Sequence, residues 1–167
     1  MAELELTRTK DDRRVYALEG VGTLRLEGWF GRSATAEAGG RSWRVTRTGL
    51  FRATTEATDA AGTVVGTFTP RSIRRGGELV WMGRAFTLRP ASAWRERYAL
   101  ADGDRELAVL DGKGWGRRPV AITLDDAAAL DPGLVLFAAF VVRTLAEDAG
   151  ASAAGGASVA ATGATSG

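Results

Sequence analysis

From Glu3 to Leu124 the chain alternates apolar and polar residues in short runs, broken at close intervals by Gly, Asp or Pro. ELELTRT sets Leu4 and Leu6 against charge, GTLRLEGW puts Leu24 and Leu26 on one face, and RSWRVTR places Trp43 and Val45 in phase. RVYALEG, FRATTEAT, GTVVGTFT, ELVWM, RAFTL, WRERYAL, RELAVL and PVAITL continue the pattern, with ATAEA as a weak member. In WRERYAL the residues Trp94, Glu96, Tyr98 and Leu100 share a face, which would bury the Glu96 carboxylate if that face turned inward. Strand length and period-two alternation together predict about twelve β-strands. DAAG (Asp59–Gly62) and ADGD (Ala101–Asp104) sit between alternating runs as hairpin turns, and EGVG, AGGR and MGR supply glycine where the chain reverses. Without helical crossovers the strands must run antiparallel, as a closed barrel or a sandwich.

The pattern then changes. DPGLVLFAAFVVRTLAEDA, from Asp131, reads as a helix over 132–148, with Asp131 as N-cap, Pro132 in the first turn and Gly150 as the stop. Leu134 to Val142 carries no polar side chain, so the helix is apolar all round until Arg143. A spanning helix needs roughly 20 apolar residues, and this run is shorter and flanked by charge. A surface-lying helix needs one strongly charged face, which is missing. Burial on every side is the remaining solution. Strands closed around the helix, with apolar residues inward and Arg, Glu and Thr outward, would provide it. The fold class is therefore mainly β (α+β): a closed antiparallel barrel of about twelve strands around a buried hydrophobic C-terminal helix. One domain covers 1–149. The tail 150–167 has no charge and almost no bulky residue, and reads as disordered.

This order of runs resembles the tubby-like barrels, including the LURP-one-related proteins and the phospholipid scramblases. PVAITLDDAAALDPGLVLFAAFVV is similar to the last strand, acidic turn and apolar helix that end those domains, and YALADGDRELAVL is similar in style to one of their hairpins. The resemblance implies a barrel of twelve strands threaded by its helix. It also implies binding of lipid headgroups through a basic surface. The chain departs from the scramblases in lacking Pro-rich and Cys-rich leading segments, and in having the basic GKGWGRRP where they carry an acidic, calcium-associated segment.

Composition narrows the chemistry. The 167 residues include no Cys and no His, which excludes disulfides, thiolate and Zn–thiolate sites, and His-based triads. Net charge is +2, and the basic residues are nearly all Arg, with Lys10 and Lys113 the only lysines. Arginine usage with abundant Ala and Gly fits GC-rich codons of a bacterial kind. The N-terminus lacks the apolar core of a secretory signal, so a cytoplasmic protein, peripheral at the inner membrane face, is expected. Asp102 and Asp104 begin like a calcium loop, but Leu107 stands where glycine is required. No catalytic, cofactor or metal site is read.

The candidate ligand-binding residues are Arg71, Arg74 and Arg75 of RSIRRGG, and Lys113, Trp115, Arg117 and Arg118 of GKGWGRRP. Arginine forks match phosphate oxygens, and a Trp on a Gly-rich loop suits a membrane interface. Arg41, Arg44 and Arg47 read as outward side chains of one strand, and nucleic acid is not the expected partner. The sequence predicts a non-enzymatic binding module for an anionic lipid headgroup, or alternatively a protein-interaction domain using its outer wall.

Overall fold

A computed structural model describes residues 1–28, 31–49, 53–71, 76–92, 96–112, 120–125 and 129–157. Twelve strands pair in chain order and close, β1 against β12, into an antiparallel barrel. They are β1 (Ala2–Arg8), β2 (Val15–Leu18), β3 (Gly22–Glu27), β4 (Ser33–Ala38), β5 (Arg41–Thr48), β6 (Thr54–Thr58), β7 (Val64–Pro70), β8 (Gly77–Trp81), β9 (Arg84–Pro90), β10 (Arg97–Asp102), β11 (Arg105–Asp111) and β12 (Val120–Leu124). Helix α1 (Pro132–Ala157) runs through the barrel. Closure removes every sheet edge, so the backbone hydrogen bonds of the wall are satisfied within it.

The alternation read from sequence sets the two faces of the wall. Leu4, Ile122 and Leu110 lie in one register row, and Leu6 pairs Leu18, all turned toward the helix. Glycine-bearing pairs make tight two-residue reversals at β4–β5 and β8–β9, where Gly39, Gly40, Met82 and Gly83 all have positive φ. In the β6–β7 turn Asp59 accepts hydrogen bonds from the backbone N–H groups of Ala61 and Thr63.

Every residue from Gly133 to Val142 is buried. β4 faces the helix with alanines alone, Ala34, Ala36 and Ala38, and the helix lies close against that part of the wall. The weak strand ATAEA is weak because its inward residues are small, and small residues let the helix approach. Beside them, Trp43 pairs with Ala36 and meets Trp81 edge-on at 5.6 Å, and Trp81 packs on Phe137 with ring centroids 5.5 Å apart. Asp131 caps the helix as expected: its Oδ1 accepts from Gly133 N–H at 2.8 Å.

Two expectations are corrected. Gly150 does not stop the helix, which continues to Ala157, because the residues around Gly150 are mostly alanine, the best helix former. The segment 150–157 is thus helical, and 158–167 lies outside the described residues. Arg41 and Arg47 do not join Arg44 on the outside. Spacing of three cannot hold one face of a period-two strand, and both fall in phase with the inward Trp43 and Val45. Arg41 pairs with Asp131 at the start of the helix, and Arg47 with Asp148 near its end.

Candidate functional site

An in-order antiparallel barrel has two rims with different connections. Connections leaving even-numbered strands form the rim where the helix enters, beside Trp43 and Trp81. Connections leaving odd-numbered strands belong to the rim where the helix exits, since Gly112 lies against Val142 and Ala146.

The entry connections are 19–21, 39–40, 59–63, 82–83, 103–104 and 125–131; they contain six carboxylates, no Arg or Lys, and no aromatic residue. The exit connections are 9–14, 28–32, 49–53, 71–76, 91–96 and 112–119; they contain twelve Arg or Lys residues against three carboxylates. The same six segments hold Trp29, Phe30, Phe51, Trp94 and Trp115, while the other eight aromatic residues of the chain are in the core. The small net charge of the whole chain therefore hides a strong polarity along the barrel axis.

Of the seven residues singled out from sequence, Arg71 is described, exposed, and directly follows β7 at the exit rim. Arg74, Arg75, Lys113, Trp115, Arg117 and Arg118 lie outside the described residues, as do Trp94 and Phe51. The strand ends that flank both basic segments, Pro70 and Gly77, Asp111 and Val120, stand at that same rim. Glu96, just before β10, is half-buried and accepts a hydrogen bond from the Tyr98 hydroxyl at 3.0 Å.

Described side chains show how the two rims treat their arginines. At the entry rim, Arg41 donates to Asp131 at 2.9 Å, Arg105 pairs with Asp125 at 3.2 Å, and Arg84 pairs with Asp102. At the exit rim Arg8, Lys10, Arg13, Arg14, Arg71 and Arg97 are exposed, and among the described residues none has a carboxylate partner. Sequence reading missed Arg8, Lys10, Arg13 and Arg14, because Asp11 and Asp12 stand among them and dilute the segment RTKDDRR as a basic cluster. Asp12, however, is engaged by Arg25 at 3.0 Å and by the Arg14 backbone, which leaves its basic neighbours uncompensated.

Arg8 and Arg143 meet at Tyr16. Arg8 Nη2 and Nε donate to the Tyr16 hydroxyl at 2.9 and 3.3 Å, and the Arg143 guanidinium lies 4.5 Å from the ring centroid. Burial raises the pKa of this phenol, but hydrogen bonds and charge from Arg143 and Arg8 outweigh it and hold it below the usual tyrosine range. The described surface includes a cleft of about 360 Å³ on the outer wall beside Met1, Val109 and Leu124, and one of about 440 Å³ at the entry rim beside Gly39 and Gly40. Among the described residues no group of three carboxylates gathers to hold a metal ion, and no helix is long and apolar enough to cross a membrane.

Comparison with protein-family models, curated proteins and solved structures finds no match to this chain.

Proposed function

We propose that the chain is a non-enzymatic binding barrel of the tubby-like kind that attaches to anionic phospholipid surfaces by its exit rim. One observation carries this reading: the six connections that leave odd-numbered strands contain twelve Arg or Lys against three carboxylates, together with five of the chain's thirteen aromatic residues, while the other six connections contain no Arg, Lys or aromatic residue. Arginine and lysine near an anionic leaflet contribute about 1 kcal/mol each, and Trp and Phe favour the headgroup boundary. The helix takes no part in contact with lipid, because its apolar surface is spent inside the barrel. A cytoplasmic protein held at the inner membrane face would meet such a surface.

The test is sedimentation with vesicles containing phosphatidylserine at low salt. Wild type should pellet with them, and less so as salt rises, since exposed charges are screened. Replacing Arg74, Arg75, Arg117 and Arg118 by Ala should abolish pelleting with the fold intact, whereas Glu19→Gln with Asp104→Asn at the entry rim should not reduce it. A wild type that stays in solution with these vesicles at low salt sinks the proposal.

The second reading, a protein-interaction domain using the outer wall, draws on the cleft beside Met1 and Val109. It has less support. The large exposed apolar residues among those described are Met1, Val64 and Met82; Met82 is in an entry-rim turn and Val64 is the first residue of β7 at the same rim.

A further inference from the structure

Three hydrogen-bond donors from three separate elements converge where the helix leaves the barrel. Arg8 ends β1, Tyr16 lies in β2, and Arg143 belongs to the helix. The Tyr16 oxygen accepts from Arg8, and among the described residues nothing accepts the phenol's own proton. Arg143 donates through Nε to Glu147 at 3.0 Å, and its guanidinium lies against the Tyr16 ring. Among the described residues Arg8 has no carboxylate partner.

Two guanidiniums therefore meet at one ring, at 5.5 and 4.5 Å from its centroid, with the Glu147 carboxylate paired to Arg143. Two cations on one ring repel each other, and an anion bound between them would relieve that repulsion. Lys10, Arg13 and Arg14 follow in the adjoining β1–β2 connection, exposed and without carboxylate partners. A latch that merely fixed the helix exit would need one cation on the ring, and it would not need an unspent hydroxyl donor.

We propose that Arg8, Tyr16 and Arg143 form a seat for a phosphate group, with both guanidiniums and the phenol hydroxyl as donors and Lys10, Arg13 and Arg14 steering the anion to it. Phosphate fits because it offers several oxygens in different directions to donors that arrive from different elements. A lipid headgroup and a free phosphate share this chemistry; choosing the headgroup as source rests on the membrane reading given above.

The experiment is a titration with inorganic phosphate at low ionic strength, followed by the arginine Nε–H signals in NMR and by binding heat. Signals of Arg8 and Arg143 should shift saturably. Tyr16→Phe, which removes one hydroxyl and keeps the ring, should weaken binding about tenfold, and Arg143→Lys should weaken it at least as much. Circular dichroism melts check that each variant folds; if Arg143→Lys does not, Tyr16→Phe decides alone. Absence of a saturable shift, or equal affinity in Tyr16→Phe and wild type, overturns the seat. Vesicles separate the sources. Phosphatidic acid exposes a phosphomonoester, so Tyr16→Phe should weaken pelleting with it more than with phosphatidylserine. Phosphate binding without pelleting of any vesicle keeps the seat and overturns the membrane reading. Pelleting that Tyr16→Phe leaves unchanged on both lipids, with no phosphate shift, does the reverse.

Discussion

The helix enters and leaves the barrel through two very different collars. At the entry, Trp43 and Trp81 close around Gly133, Asp131 caps the first turn, and each described strand-end arginine has its carboxylate. At the exit, Tyr16 meets Arg143 of the helix and Arg8 of β1, and Arg47 pairs with Asp148, with cations left over after every described pair is made. The first collar is settled by packing and neutral pairing. The second carries charge that its own residues do not neutralise. A protein that only needed to fold would gain by pairing both ends, so the unpaired end is the one to examine for a ligand.

The sharpest contrast should come from glycine. A Cβ on Gly133 would stand 2.5 Å from a Trp81 ring carbon and 2.8 Å from one of Trp43, and neither ring has room to move. Overpacking of this kind costs about 1–3 kcal/mol, so Gly133→Ala should lower the unfolding free energy by that amount less the helix propensity that Ala returns. At the exit, a Cβ on Gly112 would meet Ala146 at 3.0 Å and the Glu96 carbonyl oxygen at 3.2 Å, contacts that a small shift relieves. Gly112→Ala should cost less. Urea melts of the two variants measure the difference, and a larger loss at Gly112 would mean that the exit is the more tightly packed end.

A smaller effect is expected at the cap. Asp131→Ala removes both the hydrogen bond from Gly133 N–H and the pair with Arg41, and should cost about 1 kcal/mol at neutral pH. Burial raises the Asp131 pKa, but the hydrogen bond from Arg41, those from the Gly133 and Leu134 backbone, and the Arg41 charge together hold it below the ordinary carboxylate value. A carboxylate whose folded pKa is depressed contributes stability above its unfolded pKa and loses it as pH falls through the folded one. The gap between wild type and Asp131→Ala should therefore be widest at neutral pH and close on acidification through the carboxylate range. A gap unchanged from neutral to acid pH would show that the loss is one of packing.

How much of this the sequence discloses depends on how far apart the interacting residues stand. Strands such as RSWRVTR and the helix at Leu134–Val142 are visible because alternation and an unbroken apolar run are local signals. The closure of β1 on β12 follows only once an all-apolar helix demands protein on every side. Gly150 misleads because a glycine's stop signal depends on the backbone adopting positive φ, and here it stays helical. The site was half legible. RSIRRGG and GKGWGRRP stand out as basic segments, but their belonging to one rim with four other connections is a property of the strand order. The meeting of Arg8, Tyr16 and Arg143 joins residues from opposite ends of the chain, and no window of sequence contains it.

The finest comparison is between ion pairs at the two collars. Arg47 grips Asp148 with both ends of its fork, Nη1 to Oδ1 at 3.0 Å and Nη2 to Oδ2, and its side chain is only 23% exposed because it starts from the inward phase of β5. Arg84 reaches Asp102 across open surface with its side chain 65% exposed. Exposed pairs typically contribute about 0–1 kcal/mol, the upper end requiring bidentate geometry and shelter. Double-mutant cycles with Arg→Gln and Asp→Asn should give a coupling near the top of that range for Arg47–Asp148 and near zero for Arg84–Asp102. Salt should erase what coupling Arg84–Asp102 has and leave part of the other, since a partly buried pair is screened less. Equal couplings would mean that the inward phase of Arg47 does nothing for its pair, and the helix exit would then be held by packing, as the entry is.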